Sequence, residues 1–370
     1  MDNHPLTIAA VGDIALLRQP SNTLYLEPWQ NSDLRFANLE APLTTGGVPA
    51  AKLIRMNAPI QSASWLKELR CDAVSLANNH IMDWGIPGLE STLAALSGAG
   101  IKHAGAAANA EQAGKHIVLN ANGNRIAFLS WSCTNPPGFI ARADRPGLAG
   151  MRIRTAFASD PSFEEQPGTP PWVYTQAVET DVENLLSAIK IARAESEFVI
   201  LALHWGVPPQ WQSGFQGPLA EYQISLGEQI IEAGADLILG CHAHTVYGVE
   251  SVARASGGTG LICYSLGNYV FHPLAGKRVF PLDLPLYPYH AAERIENKQT
   301  YIARFTLVQD SGKLVLKQVD LVPAMLDENW EASPPTSEQA QAINERVAEF
   351  SKWRGTPVEI KNNIVTWKPA

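Results

Sequence analysis

Cysteine is scarce in this chain, and no C-x-x-C pair occurs. Cys71, Cys133, Cys241 and Cys263 stand at wide, irregular spacing in or beside the apolar segments CDAVSLA, AFLSWSC, LILGC and GLICYSL. That spacing argues against a zinc knuckle or a thioredoxin-like motif and marks the cysteines as small buried thiols, not disulfides or nucleophiles. Runs of Lys and Arg are also absent, and the formal net charge over 370 residues is −8. Neutralising a phosphate backbone needs clustered cations, so no nucleic-acid partner is expected. A small phosphorylated or carboxylated substrate is compatible with this balance. The opening MDNHPLTIAAVGDIALL has no basic n-region, and no segment is apolar for long enough to span a membrane. As it stands the chain reads as soluble and cytoplasmic, although a chain whose export signal had been removed reads the same. Internal repeats and low-complexity tracts are missing, and nothing in the sequence sets an oligomeric state.

What is present is an ordinary globular composition, 46% hydrophobic and 17% charged. Short β-rich apolar runs alternate with helical patterns, which predicts a layered α/β fold. Strands are expected at 6–11 (LTIAAV), 34–38, in CDAVSLA, NRIAFLSW, FVILALHW, DLILG and, with a turn, in GLICYSLGNYVF. Helices are expected at 62–69 with Ser62 as N-cap, at 87–98 closing on glycine, over DVENLLSAIKIARAE, at 219–233 and at 337–352. YIARFTLVQDSGKLVLKQVDLVP alternates about Asp310-Ser311-Gly312, a hairpin signal. Residues 138–176 lack periodicity and read as a long insertion, a candidate lid. The expected organisation is one domain over 1–330 carrying that insertion, with 331–370 an appendage packed on it.

The chemistry is carried by where polar residues fall. Apolar strands run into Gly12-Asp13, Asn38-Leu39-Glu40, Asn78-Asn79-His80, His204-Trp205-Gly206 and His242-Ala243-His244. In open α/β sheets ligands bind at the carboxyl ends of strands, so these distant clusters are expected to converge. Taken singly, Asp13 fits a turn, Glu40 a solvated loop, Asn79 a turn cap and His204 a satisfied core histidine. His242-x-His244 is more telling, because alternate strand residues face the same way. Together Asp13, Glu40, Asn79, His80, His204, His242 and His244 suit a binuclear centre. The histidines favour Mn, Fe or Zn, and mixed N/O ligands fit two cations roughly 3.5–4 Å apart.

GDIAL, FANLEAPLT, AVSLANNHIMDWG, LALHWG, GADLILGCHAH and YSLGNYVF resemble, in order and spacing, the CapA-like family of poly-γ-glutamate capsule-biosynthesis proteins. That family is itself similar to the calcineurin-like metallophosphoesterases, and the resemblance spans roughly residues 6–325. It implies a four-layer α/β/β/α fold, a β-sandwich flanked by helices. It also implies that Asp13 and His244 bind a first metal, that Glu40 bridges, and that Asn79, His204 and His242 bind a second. His80 would act on the substrate as general acid or transition-state stabiliser. Asp83 either orients His80 or is simply an acid at a helix start. Asn268 either lies near the centre or forms a turn. The chain departs from the superfamily pattern where D-x-H reads Asp13-Ile14-Ala15, where the acid after H-W-G is missing, and where Cys241 replaces the first histidine of H-H-x-H.

Further candidates have less context. Lys52 and Arg55 either pair with an anionic substrate or lie as solvated loop charges, and the Arg-rich stretch 142–154 supplies other cations. Trp84, Trp205 and Trp211 either wall a cleft or pack, with packing favoured for Trp205. His103, His116, His272 and His290 have no motif context. The functional expectation is a metal-dependent hydrolase of phosphoesterase type, with two divalent ions activating water. The alternatives are an enzyme acting on γ-glutamyl peptide and a non-catalytic accessory subunit.

Overall fold

The inward and outward alternation of strand residues builds two sheets stacked face to face. The computed structural model describes residues 4–21, 26–52, 54–209, 212, 216–273 and 295–369, so Trp211 and His290 lie outside the described residues. The larger sheet has ten strands. Its parallel part runs Leu6–Ala15, Leu34–Leu39, Ala73–Ser75, Lys102–Ala104. On the far side of Leu6–Ala15 it continues antiparallel through Gln299–Asp310, Lys313–Leu326, Ile364–Trp367 and Glu359–Lys361. The smaller sheet has six strands. Asn124–Ser132, Phe198–His204, Leu237–Cys241 and Thr259–Cys263 are parallel, with antiparallel Ile117–Ala121 and Val249–Ala253 at the edges.

Period-2 alternation divides the side chains among three buried layers. Ile8, Ala10 and Phe36 meet Phe128, Ile200 and Leu239 between the sheets. The Phe36 and Phe128 rings lie 4.7 Å apart there, and truncating either to Ala would cost about 3–5 kcal/mol. On the outer face of the larger sheet, Ala9 and Val11 pack with Leu66, Leu89 and Leu96 of helices Ser62–Glu68 and Gly85–Ala99. On the outer face of the smaller one, Leu129 and Leu201 pack with Leu185, Ile189, Leu226 and Ile230 of helices Glu179–Glu195 and Glu221–Glu232. The layers therefore run α/β/β/α.

Several local expectations need correction. Ser62 is not an N-cap: Gln61 occupies that position in a helical conformation, and the Ser62 hydroxyl donates to the Leu16 carbonyl at 2.7 Å. The first strand does not end at Gly12-Asp13 but continues to Ala15, with a register shift after Asp13. GLICYSLGNYVF is two strands in different sheets, Thr259–Cys263 and Asn268–Phe271. The segment expected to be irregular contains a hairpin, Ile153–Ala158 with Trp172–Ala177, held against the helix Glu221–Glu232 through Thr175 and Tyr222. The cysteines are free and buried, as expected. The helix Ser337–Trp353 opens with a capping box at Thr336. Among the described residues no helix is long and apolar enough to cross a membrane.

Candidate metal centre

Parallel pairing sets the candidate residues side by side. Asp13 is in register with Asn38 on one flank and Asn268 on the other. The second pairing needs glycine: a Cβ on Gly12 would stand 1.9 Å from the Gly267 carbonyl oxygen, and Gly267 itself has φ +71°. That close approach lets the Asp13 amide donate to the Gly267 carbonyl at 2.9 Å and puts Asn268 beside the centre. In the smaller sheet His204 is in register with Cys241, so the loop bearing His242 and His244 starts next to it. Both of those histidines have positive φ, +93° and +53°, a conformation costing about 1–3 kcal/mol each that persists only where the surroundings enforce it.

Two groups of potential ligand atoms result, Glu40 with His204 and His242, and Asp13 with Glu40 and His244; within each, all atoms lie within 4.8 Å of one another. Glu40 belongs to both. Its Oε1 lies 3.5 Å from His204 Nε2, 3.8 Å from His244 Nε2 and 3.9 Å from His80 Nε2. The Asn79 side-chain oxygen contacts His204 Nε2 at 2.9 Å. Asp13 accepts from Asn38 Nδ2 at 2.7 Å and from the His242 amide at 3.2 Å. His244 Nδ1 contacts Asn268 Oδ1 at 2.9 Å and Asp13 Oδ2 at 3.3 Å, and its ring meets Phe271 edge-on.

The residues fit a cation on an observation independent of resemblance. Glu40 is fully buried, yet neither of its oxygens has a hydrogen-bond partner, and His242 Nδ1 is likewise buried without one. Leaving a buried carboxyl group without a hydrogen bond costs about 1–3 kcal/mol, a sizeable part of a typical domain stability of about 5–15 kcal/mol. A purely structural polar cluster would have hydrogen bonds where these atoms have none. Burial, with Asp13 beside it, lifts the Glu40 carboxyl well above its ordinary range. Burial alone would also lift Asp13, but the hydrogen bond and charge of His244 hold it well below the usual carboxylate range. Burial disfavours the His244 cation, but the Glu40 and Asp13 carboxylates outweigh it and raise His244 to about 9. Burial pushes His204 down to about 3 and, with His204 and His244 as neighbours, takes His242 well below its usual value. Both imidazoles are thereby neutral, the form that binds metal.

His80 has its own support. Its Nδ1 lies 2.6 Å from Asp83 Oδ2, and the same carboxyl accepts from the Met56 amide at 2.6 Å and the Lys52 ammonium at 2.7 Å. Asp83 therefore contacts His80 from a helix start, one residue before the N-cap Trp84 of Gly85–Ala99. Lys52 corrects the solvated-charge reading, because its ammonium is turned inward onto Asp83, His80 Nδ1 and the Asn79 carbonyl. Arg55 is exposed and donates to the carbonyls of Ala50 and Lys52, away from the centre. Trp84 donates to the Met56 carbonyl, and Trp205 packs on Tyr264 with its indole nitrogen bonded to the Tyr264 carbonyl. The Cys241 thiol is kept in its neutral form chiefly by burial and also by the charge of Asp13. Asn38 and Asn78 stand in two of the strand-end clusters, but the sequence assigns neither a role. Asn38 joins the halves of the centre, reaching Asp13 and, at 3.4 Å, His204 Nδ1, while Ser75 and Asn78 donate to its side-chain oxygen. Asn78 in turn accepts from the amides of His80 and Ile81. The signal was the strand-end run FANLE, where Asn38 stands two residues before Glu40.

Comparison with known proteins gives a consistent grouping. A family model described as bacterial capsule synthesis protein PGA_cap matches residues 7–273. The capsule biosynthesis protein CapA of Bacillus anthracis is 26% identical over 285 residues, covering 73% of this chain and 61% of that protein. The PGA biosynthesis protein CapA of Bacillus subtilis is 28% identical over 251 residues, covering 67% and 56%. A protein of Mycobacterium tuberculosis named as a probable polyglutamine synthesis accessory protein is 27% identical over 263 residues, covering 69% and 60%. The matches thus take in less than two thirds of these relatives' lengths. Among solved structures, the calcineurin-like phosphoesterase YfkN of Bacillus subtilis aligns with a TM-score of 0.41 and 13% identity, over 94% of this chain and 99% of that one.

Proposed function

Because this chain belongs to the bacterial capsule synthesis protein family PGA_cap, we propose that its centre is that of a metal-dependent hydrolase working on a small anionic substrate in capsule-type biosynthesis. The observation that carries this reading is Glu40, buried, shared by two ligand groups and bare at both oxygens. Asp13 and His244 would hold one divalent ion of the Mn, Fe or Zn class, His204, His242 and Asn79 the other, with Glu40 common to both. When bound, such ions lower the pKa of a water and neutralise charge on the oxygens of the group being transferred. Asn38 keeps Asp13 and His204 in place, and Asn268 orients His244. Asp83 holds the Nδ1 side of His80 and supports the imidazolium against burial; in that form Nε2, on the side of Glu40, would give its proton to the departing group. A phosphate ester is the first electrophile to try, and a γ-glutamyl amide the second.

An accessory, non-catalytic role has one observation in its favour. The Asp13 group holds one histidine where the other holds two, and Ala15 stands at the histidine of the D-x-H pattern that the resemblance implies. The test is turnover of bis-p-nitrophenyl phosphate and γ-glutamyl-p-nitroanilide with added manganese, comparing the native chain with His80→Gln. Manganese-dependent release from either substrate, reduced by about 10²-fold or more in the variant, is expected. Metal bound without release from any ester or amide would favour the accessory role.

A further inference from the structure

The hairpin away from the metal centre leaves one of its edges bare. Its strands Ile153–Ala158 and Trp172–Ala177 pair without a bulge, Val173 opposite Phe157 and Thr175 opposite Thr155. The Gln216 side chain takes the Val173 amide and carbonyl, and the Thr175 amide donates to Glu221. Both residues thus direct their backbone groups away from the neighbouring strand, and the residues facing them across the hairpin must do the same. The Val178 amide, which donates to the Arg152 carbonyl, fixes the same alternation at the strand ends. Ile153, Thr155 and Phe157 therefore turn their amides and carbonyls outward. Among the described residues nothing takes those of Thr155 or Phe157.

Folded proteins normally blunt such an edge with lysine, proline, a bulge or a covering loop. The strand IRTAFA has no lysine or proline, its pairing is regular, and residues 154–158 are all exposed. Phe157 is 69% exposed, and Tyr174 on the adjoining strand also faces solvent. An unblunted edge that carries an exposed aromatic is a template for a further strand.

The side chains suit a second copy of the same strand. Antiparallel pairing about a two-fold axis at Ala156 sets Thr155 of each copy opposite Phe157 of the other. Each such pair exchanges both of its backbone bonds, and a β-branched residue opposite an aromatic is a favourable cross-strand neighbour. On the other face of the sheet the two Ala156 residues meet at the axis, and Arg154 lies opposite Ala158 of the second copy. Ala158 is paired in turn with Trp172, whose indole nitrogen donates to the Asp160 carboxylate at 2.7 Å. The guanidinium of one copy is thereby directed across a small residue towards an indole and a carboxylate of the other, both of which attract it. Moving the axis to Arg154 would instead set like charges opposite each other. We propose that the edge Ile153–Ala158 is a dimerisation surface, through which two copies join their hairpins into one continuous sheet about Ala156. This surface does not depend on the metal centre being hydrolytic.

The test is sedimentation velocity of the full chain between low and high micromolar concentration. An edge of this length is small beside a stable interface of roughly 1,200 Å² or more, so a concentration-dependent dimer is expected. Thr155→Pro removes an outward amide that bonds to nothing in the hairpin, and Phe157→Lys puts a charge on the exposed edge. Each should keep the native melting temperature and raise the dimer dissociation constant by about tenfold or more. Ala156→Cys should form a disulfide-linked dimer under mild oxidation, because residues facing each other at such a pair stand about 4.5 Å apart at Cα. Gln176→Cys, exposed on the strand away from the axis, should not, and the native cysteines are buried. A native chain that stays monomeric at every concentration overturns the proposal. A folded Thr155→Pro or Phe157→Lys that dimerises like the native chain overturns it too. So does a Gln176→Cys that cross-links as readily as Ala156→Cys, since the copies would then meet elsewhere.

Discussion

At the Asp13 end of the centre the ligand atoms already have partners: His244 reaches Asp13 at 3.3 Å and Asn268 at 2.9 Å, and opposite charges hold the pair together. At the other end His204 and His242 are neutral, their rings 4.7 Å apart, and His242 Nδ1 has no partner. Glu40 serves both ends. In the first half His244 lies between Asp13 and Asn268, while in the second His204 Nε2 faces the Asn79 side-chain oxygen and only His242 Nδ1 lacks a partner. An ion entering the first half must displace the His244 proton, and that half offers one histidine where the other offers two. The second half is expected to bind its ion more tightly at neutral pH.

Removing the shared ligand should break the comparison most completely. Glu40→Gln is expected to lose both ions and to lower any hydrolytic rate by about 10³-fold or more. Asp83→Asn leaves both ligand groups intact but weakens the hold on His80 and deprives Lys52 of its counter-charge. It should cost about 10–100-fold in turnover with metal content unchanged. Asn38→Ala touches both halves at once, through Asp13 and His204, and should cost about 1–3 kcal/mol in stability with partial loss of metal.

The smallest effect is also the sharpest on the difference between halves. His244 is raised to about 9 and Glu40 is raised as well. A raised folded-state pKa stabilises below the unfolded value and loses that stabilisation as pH climbs through the folded one. The metal-free chain should therefore melt at progressively lower temperature from about pH 6.5 to pH 9. With manganese bound the decline should flatten, because the ion then replaces the proton. Melting curves with and without a chelator check this, and equal slopes would contradict it.

The sequence made the layers and the strand-end convergence legible because both follow from periodicity: apolar alternation marks each strand, and parallel pairing lines up the carboxyl ends. What escaped it depended on contacts between distant segments. Asn38 sits in plain view in FANLE, but its partners Asp13, Ser75, Asn78 and His204 come from separate stretches of the chain. Lys52 reads as any loop lysine until the chain folds it onto Asp83. GLICYSLGNYVF reads as one strand with a turn, and only the approach of Gly12 to Gly267 explains why it divides between two sheets.

The most direct test of a two-ion centre is metal content by elemental mass spectrometry on protein purified without a metal-affinity tag and equilibrated with manganese. The native chain and His242→Ala are measured side by side. About two equivalents in the native chain, with the tighter one lost in the variant, is the expected result. A native chain that holds no metal after that equilibration would contradict the account.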